Sequence, residues 1–592
     1  MTLTSKKFLL QPITIKTLDL EYLKNNYISS VDDREVGYHP FQISKLQCYY
    51  PLYNKLFSNN LIDNIAFNHP NHFLNEKTCL NIIKNEVFDT NVFIKFSPLL
   101  DPNRYMIGKY DVDDERLRTF PQIDNIQNSN SKLNDFNNAS YVDSFFSFLT
   151  SILLNHHGFK HGLDYYGSFL GVQEKFKANI TDDLDYLNSS TFFLENIGKL
   201  FQVNNNPNKE LLNFGSRANK QKIRISNTIH NISTENIHVD ALELDITVDG
   251  IDSINDELVY EKSKISRSIS SLSSTSLSST SSSSGSSNNS ETNYSTDEDV
   301  NHDEDVNHDE EEVEEEEEEE EDDEDDDEDE NDEEDDEDKI FAYIHHFPMQ
   351  MICLEKCHGT IDELFIKHII TEESGPSALM QIIMILLTYQ QTFHFTHNDL
   401  HTNNIMYINT DIEYLYYKVD GEYYKVPTYG RIFKIIDFGR GIYKYNGNSF
   451  CSDSFATGGD AATQYNFEPY MNPNKPRLDP NYSFDLCRLG TSIYDFIIDD
   501  DENVDKFDEF QKTIHRWCLD DNGKNVLYKK SGEERYPNFK LYKMITRTVH
   551  KHTPKEQLKF DIFKQYKVSS KKKKDLKECT DVMDIDSLPC YV

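Results

Sequence analysis

His397-Asn398-Asp399-Leu400-His401-Thr402-Asn403-Asn404 and, farther on, Ile435-Ile436-Asp437-Phe438-Gly439 are the stretches from which the rest of the chain is read. The first follows SALMQIIMILLTYQQTFHF (377–395), a mostly apolar run that predicts a long helix at the centre of a helical layer. HNDLHTNNIMYI then reads as a loop entering a strand, and YLYYKVDGEYYKV as two alternating Tyr-rich strands joined by Asp420-Gly421, a hairpin signal. RIFKIIDFGRGI predicts a strand and a turn. Working outward, IFAYIHHFPMQMICLEK predicts a buried strand and TIDELFIKHI a short amphipathic helix, while SFDLCRLGTSIYDFII, EFQKTIHRWCL and FKLYKMITRTVHKH predict later helices. The order describes a helical layer with a small sheet across its mouth.

The chain has 592 residues, room for about four domains at ~150 residues each, or for one two-lobed enzyme with insertions. Its formal charge is -44, yet Asp297 to Asp338 alone carries 34 acidic residues and no Lys or Arg. The remainder therefore holds 59 basic against 69 acidic residues, a net of -10, and a uniformly acidic protein or nucleic-acid mimic is excluded. From Ser263 the composition turns to Ser and Thr and then to the acidic run, with nothing apolar to offset the entropy of ordering it, so 263–338 is expected to be disordered. Hydrophobic residues at 37%, with 12% aromatic, supply a core elsewhere. Nine cysteines show neither disulfide-framework nor CxxC spacing, which points to reduced thiols; Cys353 and Cys357 are a poor metal pair. The start lacks a secretory pattern, and no run reaches the roughly 18 apolar residues of a membrane span. The expectation is an intracellular protein, cytoplasmic or else nuclear or in a virion, with no membrane and no direct nucleic-acid partner.

Together the two opening stretches resemble the catalytic loop and metal-binding loop of the protein kinase family. That resemblance implies an α+β bilobal protein-kinase-like fold, with a small β-rich N-lobe, a helical C-lobe and a long disordered insertion in the N-lobe. It implies a phosphotransferase that uses ATP and Mg²⁺, most simply a serine/threonine protein kinase with a protein substrate. Asp399 would accept the proton of the acceptor hydroxyl, while Asn404 and Asp437 would hold Mg²⁺; the D-x-x-x-x-N spacing lets a carboxylate meet the acceptor while the later amide turns toward the cation. Asn91-Val92-Phe93-Ile94-Lys95 resembles the strand that supplies the phosphate-gripping lysine, and Asp143 in SYVDSFFSFLTSILLNHHG stands where the family has the Glu that pairs with it. Leu354-Glu355-Lys356-Cys357 resembles the hinge, so the Glu355 carbonyl and Cys357 amide would hold adenine. Glu468-Pro469-Tyr470-Met471-Asn472-Pro473-Asn474 resembles the end of the activation segment, with Asn474 in place of Glu; Asp485 matches the aspartate that ties down the catalytic loop. The implied divisions are an N-terminal extension (1–84), the N-lobe's first part (85–203), an Asn-rich insertion (204–262), the Ser-rich and acidic tract (263–338), the last strand and hinge (339–357), the C-lobe (358–568) and a tail (569–592).

The departures are as informative. No Gly lies between Gly37 and Gly108, so no Gly-rich loop precedes Lys95, and NHPNHFLNE is expected to cover the phosphates instead. Asn398 replaces the Arg that would read a phosphorylated activation segment. His-Asn-Asp-Leu-His is also similar to small-molecule kinases of the aminoglycoside and choline type and to haspin-type atypical kinases, and the Asn, Ile, Lys and Tyr enrichment is similar to kinase-like proteins of large DNA viruses. A catalytically inactive kinase-like scaffold is the other alternative. The acidic tract reads as a solvated spacer, or as a docking arm for a basic protein partner; Ser295 and Thr296 look like acidophilic phosphorylation sites, and Lys571 to Lys574 like a solvated or nuclear-targeting patch.

Overall fold

The computed structural model describes residues 6–28, 36–57, 61–124, 128–204, 339–499, 503–569 and 581–592. The Asn-rich insertion beyond 204, the tract of 263–338 with Ser295 and Thr296, and Lys571 to Lys574 lie outside the described residues.

The architecture is mixed α+β, with several mainly antiparallel sheets and helices. The largest sheet is built from β1 (Ile43–Gln47), β2 (Val92–Pro98), β3 (Tyr165–Asn179), β4 (Phe201–Val203) and β5 (Phe341–Glu355). Its order is β1-β3-β5-β2, with β4 pairing on β5. β5 is the axis: Ile352 faces Lys95 and Glu355 faces Val92 on one side, while Leu354 faces Tyr165 on the other. β1 falls in the part read as an N-terminal extension, yet Ile43 and Ser44 pair with Gln173 and Val172 of the same sheet. One helix, α1 (Ala139–His157), packs on β3 and β5. The Asn138 side chain accepts from Ser140 N at its start, and Gly158 closes it at φ +70°, a left-handed conformation that costs Gly little. Ser140 Oγ donates to Gln350 Oε1 of β5 at 2.7 Å, fixing helix to sheet through a buried polar bond.

The NHPNHFLNE segment, read as a loop, contributes a strand to a small sheet. Asn71–Asn75 opens a three-stranded meander with Thr78–Asn81 and Glu86–Asp89. His69 and His72 are buried and stack at 4.0 Å, His69 meets Tyr165 at 4.9 Å, and Asn71 donates to Asp164 at 3.1 Å. The ring contacts to Tyr165 and the Asn71 bond to Asp164 hold the segment at the Glu355 end of the sheet.

After β5 come β6 (Gly359–Thr360), α2 (Ile361–Ile366), α3 (Gly375–Phe393), β7 (Ile405–Asn409), β8 (Tyr414–Val419), β9 (Glu422–Pro427), β10 (Arg431–Ile435), β11 (Ile442–Tyr445), β12 (Asn448–Cys451), α4 (Phe484–Ile497), α5 (Glu509–Trp517), α6 (Lys540–Thr548) and β13 (Val582–Asp584). Asp420 and Gly421 both have positive φ, +49° and +71°, as the two-residue hairpin between β8 and β9 demands. α3 is buried almost all round, as its apolar run predicts. An aromatic cluster joins it to α1: the Phe146 ring lies 4.0 Å from Phe395, 4.7 Å from Phe438 and 5.4 Å from Tyr389. Truncating Phe146 to Ala would cost about 3–5 kcal/mol, and its neighbours Phe395 and Phe438 sit beside the His397–Asn404 and Asp437 stretches.

The C-terminal residues also fold back. β13 runs parallel to β8, and Tyr591 is fully buried, stacked on Phe393 at 5.6 Å and Tyr445 at 5.5 Å, with its hydroxyl accepting from Phe8 N at 2.7 Å. Among the described residues no helix is long and apolar enough to cross a membrane.

Candidate active site

Lys95 projects from the middle of β2, and its Nζ lies 2.7 Å from Asp143 Oδ2 and 2.8 Å from Asp437 Oδ1. The other Asp143 oxygen accepts from Phe438 N at 2.9 Å. One buried carboxylate therefore joins the strand of Lys95 to the turn of Asp437. Asp143 is shorter than Glu, and α1 sits close enough to β2 that the shorter side chain reaches. Burial would lower the Lys95 ammonium, but the two carboxylates outweigh it and hold the pKa above the usual lysine value. Asp437 moves the other way: desolvation would raise it, and Lys95 keeps it below the usual carboxylate range. Its side chain is 48% exposed, against 3% for Asp143, so Asp437 is the carboxylate open to a ligand.

The Asp399 loop is held from below by Asp485 at the start of α4, whose oxygens accept from His397 N at 2.9 Å and Asn398 N at 2.8 Å. Thr402 Oγ1 donates to Asp362 of α2. His397 accepts from Asp399 N at Nδ1 (3.3 Å) and donates from Nε2 to Ile436 O (2.9 Å), which fixes the ring's orientation. Asn398, at φ +65°, is buried; its amide donates to Thr396 O and Arg440 O and accepts from the Tyr465 hydroxyl at 2.6 Å. Asn tolerates the left-handed region better than most side chains. Ile436 N donates to Asn404 O at 3.0 Å, so Asn404 and Asp437 are brought side by side by the backbone. The Asn404 amide nitrogen donates to Asp399 O at 2.9 Å and to His401 Nε2 at 3.1 Å, and among the described residues its oxygen has no hydrogen-bond partner. Burial, with Arg488 nearby, pushes His401 down to about 4, so it is neutral at pH 7.

Asp399 Oδ1 accepts from the Tyr542 hydroxyl at 2.6 Å and has Arg440 NH1 at 3.4 Å. Burial would raise this carboxyl, but Arg440, His401, Arg488 and the Tyr542 hydrogen bond outweigh it and hold it well below the usual range. Arg440 is forked onto Asp460 Oδ2, at 2.6 and 3.1 Å. Tyr542, Arg440, Arg488 and Tyr465 did not come out of the sequence reading. Arg440 was within reach of it, directly after Asp437-Phe438-Gly439; Tyr542 lies 143 residues from Asp399 in a stretch with no motif.

At the hinge-like stretch, Glu355 N donates to Asp164 O at 2.9 Å and Lys356 N to Asn91 O at 3.2 Å. The Glu355 side chain accepts from Lys434 Nζ at 2.7 Å and from Asp164 N at 3.2 Å. Burial pushes the Cys357 thiol up to about 12, and Cys353 is fully buried. Among the described residues no group of three or more His, Cys, Asp or Glu could hold a metal by itself. Of the sequence-named residues, Lys95, Asp143 and Asp437 make one contacting group, Asp399 and Asn404 a second; Glu355 and Cys357 stand apart from both at the end of β5.

The chain matches no family model. It is similar in part to serine/threonine-protein kinase haspin of Bos taurus, 34% identical over 88 residues, which is 15% of this chain and 11% of that protein's length. The likeness is to a protein kinase over that stretch alone, and it does not bear on the likeness to proteins of large DNA viruses.

Proposed function

We propose that this chain is a Mg²⁺- and ATP-dependent phosphotransferase of bilobal protein-kinase type that acts on serine or threonine of a protein. The observation that carries the reading is the meeting of Lys95, Asp143 and Asp437 from three distant segments, next to the loop of Asp399 and Asn404, which Asp485 ties down through His397 N and Asn398 N. The donor set fits Mg²⁺, a hard cation that takes one or two protein oxygens and completes its shell with phosphate and water: a half-exposed carboxylate at Asp437 and a free amide oxygen at Asn404. When bound, the metal and nucleotide supply charge neutralisation and the transferable phosphoryl group. The chain's own residues do the rest. Lys95, held by Asp143, offers its ammonium to the phosphates; the Glu355 carbonyl and Cys357 amide offer the backbone pair for adenine; Asp399 orients the acceptor hydroxyl and receives its proton. The partial similarity to a serine/threonine kinase supports a protein acceptor.

The test is nucleotide-dependent thermal stabilisation of the full chain with and without Mg²⁺, followed by phosphotransfer to a basic protein and to a panel of small alcohols and aminoglycosides. A ligand at 100 times its Kd stabilises the native state by about 2.7 kcal/mol, an easily measured shift. Mg²⁺-dependent stabilisation with transfer to protein is the expected result. Stabilisation without transfer to any acceptor would leave a scaffold, and transfer to metabolites alone would leave a small-molecule kinase.

A further inference from the structure

We propose that Tyr542 is a positioning residue that decides which oxygen of Asp399 faces the acceptor. The inference rests on the phosphotransferase reading and goes beyond it, because Tyr542 belongs to none of the stretches that suggested it.

Tyr542 sits on α6 and is 8% exposed. Its ring is walled in by Phe539, stacked at 5.4 Å and 22°, and by Phe484 at 6.0 Å, while the guanidiniums of Arg488 and Arg440 lie 5.1 and 5.5 Å from its centroid. The hydroxyl is a junction. Arg488 Nε, which can only donate, donates to it at 2.9 Å, so its single proton is directed onward to Asp399 Oδ1 at 2.6 Å. Arg488 is itself buried, and among the described residues it has no carboxylate within ion-pair distance; its hydrogen-bond partners are Tyr542 and Thr491. A buried guanidinium needs a compensating charge, and the nearest acceptor it can polarise is Asp399, through the phenol. Arg440 NH1 approaches the same oxygen, Oδ1. The Tyr542 hydrogen bond, with the Arg440 charge on the same oxygen, fixes the carboxylate's rotation and leaves Oδ2 for the acceptor hydroxyl. Positioned charge-assisted hydrogen bonds of this kind are stronger than neutral ones and hold geometry within the tolerance proton transfer needs.

The experiment compares wild type, Tyr542→Phe, Arg488→Gln and the double variant in steady-state phosphotransfer, after each has shown a cooperative melt. Phe keeps the ring packing and removes only the hydroxyl. The expected result is a fall in kcat of about tenfold to a hundredfold in Tyr542→Phe, with KM for ATP and Mg²⁺-nucleotide stabilisation unchanged. Arg488→Gln should lower kcat less, and the double variant should lose no more than Tyr542→Phe, because both act through one bond. If Tyr542→Phe does not fold, Arg488→Gln alone must still lower kcat without raising KM for ATP. An unchanged kcat in an active enzyme, or a loss carried by KM for ATP, overturns the role of Tyr542 while leaving the phosphotransferase reading in place. Wild-type protein that transfers no phosphate overturns both.

Discussion

The contacts around Lys95 and those around Asp399 join neighbouring residues by opposite means. Lys95, Asp143 and Asp437 are held by ion pairs whose partners lie 48 and 342 residues apart, and the Asp437 and Lys95 side chains are 48% and 26% exposed. The Asp399 loop is held by buried bonds to backbone groups: two on Asp485, two at His397, and the amide of Asn398. The half-exposed Lys95–Asp437 pair contributes about 0–1 kcal/mol, whereas the two hydrogen bonds on the buried Asp485 carboxylate contribute about 1.5–3 kcal/mol each. The loop is therefore the fixed reference, and the Lys95 contacts are the adjustable part, able to exchange Asp437 for a ligand at small cost. β2 stands at the end of the sheet order, which suits an adjustable role.

Substitution separates the two groups. Asp399→Asn should lower kcat by about 10²–10⁴ while leaving Mg²⁺-nucleotide stabilisation nearly unchanged, since the proposed role of the side chain is toward the acceptor and not the nucleotide. Asp437→Asn and Lys95→Met should lose the stabilisation as well as turnover. Steady-state kinetics beside thermal shift reads both quantities on each variant. Loss of nucleotide stabilisation in Asp399→Asn would erase the distinction between fixed loop and adjustable pair.

The same contrast explains what the sequence could reveal. Asp399, Asn404 and Asp437 lie in short contiguous stretches whose spacing is set by local backbone geometry, so they stand out in the chain. The hairpin at Asp420-Gly421, α3 and the β5 strand are legible for the same reason: periodicity and turn chemistry act over a few residues. Asp143 was found by position in a helix rather than by chemistry, and its contact with Phe438 N depends on how α1 meets the sheet. Tyr542 and Arg488 are set only by tertiary packing of α6 on α4, which no local pattern encodes. The fate of NHPNHFLNE turned on His69 and His72 finding Tyr165 and the surrounding core, a long-range gain that composition hides.

A smaller effect tests whether buried neutral links extend beyond the loop. His161, fully buried, contacts Phe433 O through Nδ1 at 2.7 Å and the Tyr417 hydroxyl through Nε2 at 2.6 Å, joining the segment after α1 to the strand that leads to Asp437. Burial pushes its pKa down to about 3, from an unfolded value near 6.5. The unfolded chain thus binds the proton first: stability is full above about pH 6.5 and is lost as pH falls toward 3, at up to about 1.4 kcal/mol per unit from this group. His72 and His157, each pushed down to about 4 by burial, act in the same direction. Denaturant unfolding at pH 7 and pH 5 should show the loss, and His161→Gln should reduce the difference between the two. An undiminished difference would mean that His161 is not part of the acid sensitivity.

The smallest effect is an expected absence of change, and it concerns the segment between the two groups. Residues 440–470 are tied down by partners present in the chain as synthesised. The Asn398 amide takes the Tyr465 hydroxyl, Arg440 takes Asp460, and Asp453 holds Lys132 at 2.6 Å and Ala139 N, at the start of α1, at 2.9 Å. Arg547 donates to Thr463 O at 3.1 Å and Arg104 to Gly458 O at 2.5 Å. Phosphate orders such a segment when an Arg beside the catalytic Asp waits for it. Asn398 cannot serve that way, because an amide carries no charge and both its ends are already used. Phosphatase-treated protein should therefore keep the full rate of the untreated protein in the same assay. Abolition of activity by phosphatase, with recovery traced to a phosphosite between Arg440 and Tyr470, would show that the segment is not held by these bonds alone and that the fixed half of the site ends at Asn398.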